Sequence, residues 1–165
     1  MQENLLENTT IVALSTPPGM SALALIRLSG EQALAITNKV FDKDISNAKG
    51  YSVHYGSIKN GENAIDDVIV TVFKGPKSFT GENIVEIACH GSTFIQQSII
   101  ELLLQNGATM AQAGEFSKRA FFNGKMDLSQ TEAIADLIHS TSSAAHQVAM
   151  NQMRGGFSND LKVLR

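Results

Sequence analysis

Cysteine is almost missing from this chain of 165 residues. With Cys89 alone, no internal disulfide and no cysteine-based zinc cluster can form, which favours a reducing compartment. Excess positive charge is missing too. The 13 Lys and Arg against 16 Asp and Glu leave a net charge of −3, so there is no electrostatic case for gripping a nucleic-acid backbone. No apolar run approaches the roughly 18 residues that a membrane span needs. The opening Met1–Asn8 lacks the basic and apolar stretches of a signal peptide. A cytoplasmic location is expected. The phosphate-cradling pattern Gly-x-x-x-x-Gly-Lys-Ser/Thr does not occur. Gly75-Pro76-Lys77-Ser78 resembles only its tail, without the preceding strand and spaced glycines. No serine sits in a Gly-x-Ser-x-Gly elbow, which removes that route to a nucleophile. His54, His139 and His146 have no metal-ligand spacing to one another or to Cys89, so no metal site is expected.

What is present is an ordinary globular composition, 43% apolar, arranged in two patterns. Up to about residue 111, short apolar strands alternate with turns and helices. Strands are predicted at 10–15, 23–28, 51–58, 65–73 and 83–89, with a short return at 108–111. Thr16-Pro17-Pro18-Gly19 and Asn60-Gly61 supply turns. Helices are predicted over 31–41, with Ser29 as N-cap, and over 93–105, with Phe94, Ile95, Ile99, Leu102 and Leu103 on the buried side and Asn106-Gly107 as the stop. From Leu128 the pattern reads as continuous helix, opened by a capping box at Ser129–Glu132. Its stripe is Ile134, Leu137, Ile138, Ala145, Val148 and Ala149. Gly155-Gly156 interrupts it, and 157–165 resumes helical character to the last residue. Stopping in mid-helix marks the chain as a piece of a longer protein.

Three features carry candidate chemistry. Arg27 lies within the apolar strand 23–28 and Glu86 within 83–89, and a charge inside a strand needs a partner, since desolvation otherwise costs several kcal/mol. The two either pair with each other or face a pocket and hold a polar ligand. His90 precedes Gly91-Ser92 and a helix start; it reads as a helix-entry residue rather than a ligand contact. Asp66 and Asp67 are adjacent and point to opposite faces, which argues against a shared divalent metal. The third feature is the stretch from Ala113 to Ile138. It crowds Glu115, Lys118, Arg119, Asn123, Lys125 and Asp127 beside Phe116, Phe121 and Phe122. Such density suits either a binding surface or a cross-linked junction between a sheet domain and a helical one.

Several of these segments, in order, resemble the amino terminus of the MnmE (TrmE) family of tRNA-modification GTPases. They are Thr10–Ala13, Thr16–Gly19, Ile26–Gly30, Gly75–Glu86, His90-Gly91 and Gly114–Ile138. The likeness covers essentially the whole chain. It implies an α+β fold: a mixed-sheet tetrahydrofolate-binding domain of the aminomethyltransferase kind over 1–127, followed by the start of an all-α domain over 128–165. It further implies binding of 5-formyltetrahydrofolate, a homodimer, and joint action with the flavin-dependent partner MnmG (GidA) on the wobble uridine of tRNA. GTP, Mg and K belong to the full-length family, and their sites lie outside this stretch. The family's folate contacts fall on Arg27, Glu86 and Lys125, with no catalytic residue here. Gly114–Asp127 would then wall the pocket, with Lys125 facing the ligand, while Glu115, Arg119 and Asn123 act as structural cross-links.

The family pattern is not followed everywhere. This chain reads Met20–Ala24 where an Arg and several glycines usually stand, His90-Gly91-Ser92 for His-Gly-Gly, and Ala113 for the Pro before Gly-Glu-Phe. The first departure puts any contact from that turn in doubt; none touches Arg27, Glu86 or Lys125. Two other functions remain in view: a stand-alone aminomethyltransferase-type folate enzyme, and a dimerisation scaffold without ligand.

Overall fold

The computed structural model describes residues 9–155. They form β1 (Ile11–Leu14), β2 (Leu23–Ser29), α1 (Ala33–Asn38), β3 (Ser52–Asn60), β4 (Asn63–Phe73), β5 (Ile84–His90), α2 (Thr93–Gln105), β6 (Thr109–Met110), α3 (Glu115–Phe122), α4 (Leu128–His139) and α5 (Ser143–Met153). The fold is α+β with a mixed sheet, in the order β3-β4-β5-β2-β1-β6. Every neighbouring pair is antiparallel except β1 and β6. Backbone contacts divide the chain into two compact units, Met1–Phe116 and Ser117–Arg165.

In the first unit, alternation along the strands decides what is buried. Ala24, Ile26 and Leu28 of β2, Val68, Val70 and Val72 of β4, and Val85, Ile87 and Cys89 of β5 turn to one face. There they meet Ala33, Leu34 and Ile36 of α1 and Ile99, Leu102 and Leu103 of α2, and these residues make the core. The other face carries Leu23, Val53, Tyr55 and Ile69, all exposed. These four mark an exposed part of that face, whereas Ile11, Ser29 and Ile84 on the same face are buried.

Several helix boundaries differ from those the sequence suggests. Helix α1 is shorter and begins after Gln32, without a side-chain cap. Ser29 belongs to β2 instead, and its hydroxyl is spent on Thr80 and Glu82. The intervening Gly30 has φ 141°, and a Cβ there would lie 2.6 Å from Thr10 Oγ1, so only glycine lets the strand turn here. Helix α2 has the expected bounds, but Phe94 is 72% exposed. Its expected place in the buried set is taken by Gln96, whose Nε2 donates to the Gly19 carbonyl at 3.0 Å and ties α2 to the Pro17-Pro18 turn. The hairpin strands run further than expected, to Asn60 and from Asn63, around Gly61 at φ 60°.

In the second unit the expected continuous helix is two. The hydroxyl cluster Ser140–Ser142 breaks it, because these side chains compete for backbone groups at helix ends. Ser140 Oγ donates to the Leu137 carbonyl, and Ser142 Oγ accepts from the Ala145 N–H at 3.2 Å. The capping box exists but is built from Asp127 and Gln130, two residues earlier than the hydroxyl-based reading. Ala133 and Ala149 are the buried residues of the hairpin, whereas Ile138 and Val148 are exposed. Gln130 Nε2 reaches the Met153 carbonyl at 2.9 Å and joins the two helices at their far ends. Arg154 caps α5 and Gly155 follows at φ 79°. The helical reading of 157–165 lies outside the described residues.

Two predictions follow from these placements. Burial, and then the Asp66 carboxylate, push the Cys89 thiol from its ordinary 9.0 up to about 11. The folded chain therefore holds this proton more tightly than the unfolded one. The resulting stabilisation is complete below pH 9 and is lost as pH rises through about 11. Denaturant midpoints of wild type and Cys89→Ala should differ by a constant below pH 9 and converge above it, and a thiol reagent should label Cys89 only on unfolding. In the second unit, Asp127→Ala should destabilise the hairpin by about 1 kcal/mol, read as faster amide exchange at Gln130 and Thr131.

Candidate functional site

The charged strand positions are brought together. Arg27 of β2 and Glu86 of β5 are register partners, both on the face turned away from the core cluster. Arg27 Nε donates to Glu86 Oε1 at 2.9 Å and Nη2 donates to the same oxygen at 2.6 Å. Their side chains are 24% and 19% exposed, so the pair is neither sealed in the core nor fully solvated. At such a position the attraction itself is worth on the order of 1 kcal/mol or less. The geometry matters more than the energy. Both donors converge on Oε1, and Oε2 accepts no hydrogen bond from any described residue.

Two aromatic rings attend the same guanidinium. Arg27 Cζ stands 5.5 Å from the Phe79 ring centroid and 5.6 Å from that of Phe116, within cation–π range. Phe79 is carried by the loop 74–83, which contains a cis Gly75–Pro76 bond. That loop is fixed by polar groups: Ser29 Oγ lies 2.7 Å from Thr80 Oγ1 and donates to Glu82 Oε2 at 2.6 Å, and Ser78 Oγ donates to the Glu82 carbonyl. Phe116 opens α3, whose entry is held by Glu115. The buried Glu115 carboxylate accepts from the Gln112 N–H at 2.7 Å.

Along the sheet, the row through the ion pair reads Val53, Thr71, Glu86, Arg27, Ala13, and the next row reads Tyr55, Ile69, Ala88, Leu25. The charged pair thus sits at the edge of an exposed apolar strip. A carboxylate oxygen with open lone pairs, beside a guanidinium within cation–π range of two rings and an apolar surface, suits a planar ligand that donates hydrogen bonds.

Lys125 belongs to the second unit, just beyond α3. Its backbone is held by the helix ending: the Lys125 N–H donates to the Ala120 carbonyl at 2.9 Å and the Gly124 N–H to that of Phe121 at 3.0 Å. With Gly124 at φ 65°, this is a Schellman stop, and it presents Lys125 on the surface. The helix α3 itself was hidden in the sequence among charges. Arg119 is buried within it and Asn123 follows it, exposed.

The other candidates are accounted for locally. Asp66 accepts from the His90 backbone N–H at 2.8 Å and pairs with its Nδ1 at 2.7 Å, so His90 is anchored where β5 ends. Asp67 turns elsewhere and accepts from Ser57 and Tyr55. Among the described residues, no three of His, Cys, Asp and Glu converge as metal ligands, and no helix is long and apolar enough to cross a membrane. Phe79 is a site residue that sequence reading missed, and Phe116, marked only within the dense stretch 113–138, was not tied to Arg27. The available signal was their position as large aromatics inside polar, turn-rich segments.

Residues 10–125 match the family described as the GTP-binding protein TrmE N-terminus. A tRNA modification GTPase MnmE of Flavobacterium psychrophilum is 58% identical over 160 residues, covering 94% of this chain and 35% of that protein. The protein of the same name from Flavobacterium johnsoniae is 54% identical over 165 residues, covering 98% and 35%. That from Cytophaga hutchinsonii is 56% identical over 157 residues, covering 94% and 34%. The chain spans about a third of the length of these relatives. It belongs to the TrmE (MnmE) amino-terminal family.

Proposed function

We propose that this chain is the folate-binding and dimerising part of a cytoplasmic tRNA-modification GTPase, with 5-formyltetrahydrofolate as its ligand. The observation that carries the reading is the half-buried Arg27–Glu86 pair, with both donors on Oε1 and Oε2 without a donor among the described residues. A pterin offers an amidine-like edge with N–H donors, and a carboxylate is its natural acceptor. Because Arg27 already fills Oε1 with two bonds, Glu86 meets that edge through Oε2. Arg27 orients the carboxylate, and its remaining donors meet the formyl oxygen or the glutamate tail. Lys125, whose backbone is pinned by the Schellman stop, supplies a positive charge for the formyl oxygen or the glutamate tail. The bound folate supplies the one-carbon unit. Binding, rather than catalysis, is the role that this reading gives the chain.

The same reading gives the exposed part of this face its partner. Val53, Tyr55, Ile69 and Leu23 form an exposed apolar surface next to the pair, of the composition found at homodimer contacts. A second copy covering it would place two folate sites near one interface. The division of labour then falls at Leu128, with 1–127 binding and dimerising and 128–165 beginning the helical domain. GTP with its Mg and K, the flavin-dependent MnmG partner, and 5-(carboxymethyl)aminomethyl modification of the tRNA wobble uridine belong to the longer protein.

Charge-assisted hydrogen bonds are worth roughly 1.5–3 kcal/mol each. Glu86→Ala should therefore weaken 5-formyltetrahydrofolate binding at least tenfold in calorimetry, while the thermal midpoint stays close to wild type; unchanged affinity would remove Glu86 from the pocket. Ile69→Lys should convert a dimer to a monomer in sedimentation equilibrium. A wild-type chain that is monomeric at tens of micromolar contradicts the dimer reading.

A further inference from the structure

Phe79 and Phe116 lie outside the core cluster, and each is only half-buried. Their burial therefore contributes less than that of the core residues, yet their positions are fixed by buried polar networks. Ser29 and Thr80 are wholly buried, and Ser29 sits two residues beyond Arg27 on the same face of β2. The strand that carries the guanidinium thus also anchors the loop that carries the Phe79 ring. Glu115, likewise buried, fixes the turn before Phe116. A loop and a helix entry, far apart in sequence, converge on one cation.

We propose that Phe79 and Phe116 are positioning residues for the ligand site: they stack on the Arg27 guanidinium, hold both of its donors on Glu86 Oε1, and thereby reserve Oε2 for the ligand. This rests on the folate reading of the same site. Left unstacked, a long arginine side chain samples several rotamers. It would then also offer its donors to both carboxylate oxygens in the bidentate arrangement that guanidinium favours, which would block Oε2. The rings suppress that alternative because the guanidinium must stay against their faces. A lysine cannot replace arginine here, since an ammonium has neither the planar fork nor the stacking surface. The rings therefore act through Arg27, and their effect should vanish when the arginine is gone.

The 165-residue chain can test this directly by a double-mutant cycle. Calorimetric titration with 5-formyltetrahydrofolate should show Phe79→Leu weakening binding roughly three- to tenfold, with an unchanged thermal midpoint. Phe79→Trp should recover what Phe79→Leu loses, because tryptophan is the better partner for a cation. In an Arg27→Lys background, Phe79→Leu should cost nothing further. If the two losses multiply, or if Phe79→Trp binds as poorly as Phe79→Leu, the positioning role is overturned. Nitrogen-15 NMR of the unliganded chain supplies a readout independent of the ligand. The Arg27 Nε–H resonance, assigned by its loss in Arg27→Lys, should be shifted by the rings and move towards its solvent-exposed position in both Phe79→Leu and Phe116→Leu. An unmoved resonance overturns the stacking. A normal ring-shifted resonance in a chain that binds no folate instead overturns the folate reading on which the proposal stands.

Discussion

Arg27 and Glu86 are opposed across β2 and β5, on the face of the sheet turned away from the main core cluster. That placement imposes a constraint on everything nearby. A charge on a strand cannot be withdrawn into solvent by rotating the backbone, because the neighbouring residues of β2 and β5 are fixed in the core on the other side. The charges must be matched where they stand. Arginine and glutamate meet this condition with two hydrogen bonds to a single oxygen, and the unmatched half of the carboxylate becomes the chemically distinctive group of the face. The apolar strip beside it, the loop 74–83 and the entry to α3 are arranged around that pair.

Rigidity at the site comes from polar contacts rather than from the hydrophobic core. The core explains why the sheet and α1 and α2 hold together, but it lies on the far face. On the near face the buried hydroxyls of Ser29 and Thr80, the Glu82 carboxylate and the buried Glu115 set the loops. Such networks are costly when half satisfied and specific when complete. Every buried side-chain nitrogen and oxygen among the described residues has a hydrogen-bond partner. A site assembled this way can keep an open carboxylate oxygen without loosening its surroundings.

Much of this was readable from residue order. Alternation located the strands and marked Arg27 and Glu86 as charges within apolar strands, and Asn106-Gly107 gave the end of α2. Contacts between residues distant in sequence were not readable. Ser29 has the composition of an N-cap, yet it is drawn into a bond with Thr80, and α1 starts without it. Phe94 fits a helical stripe, but Gln96 takes the inward position through the Gly19 carbonyl. The break at Ser140–Ser142 was obscured because apolar periodicity continues through it, and α3 because its charged residues mimic a loop. Arg27 and Glu86 could be marked as unusual, while the rings that flank the guanidinium come from segments whose convergence only the folded chain reveals.

The central claim is that a folate binds through the free oxygen of the Glu86 carboxylate. A crystal structure of the chain soaked with 5-formyltetrahydrofolate tests it most directly. The account predicts the pterin edge within about 3 Å of Glu86 Oε2, with Arg27 still donating to Oε1. Ligand density elsewhere on the chain, with Oε2 left to solvent, would contradict it.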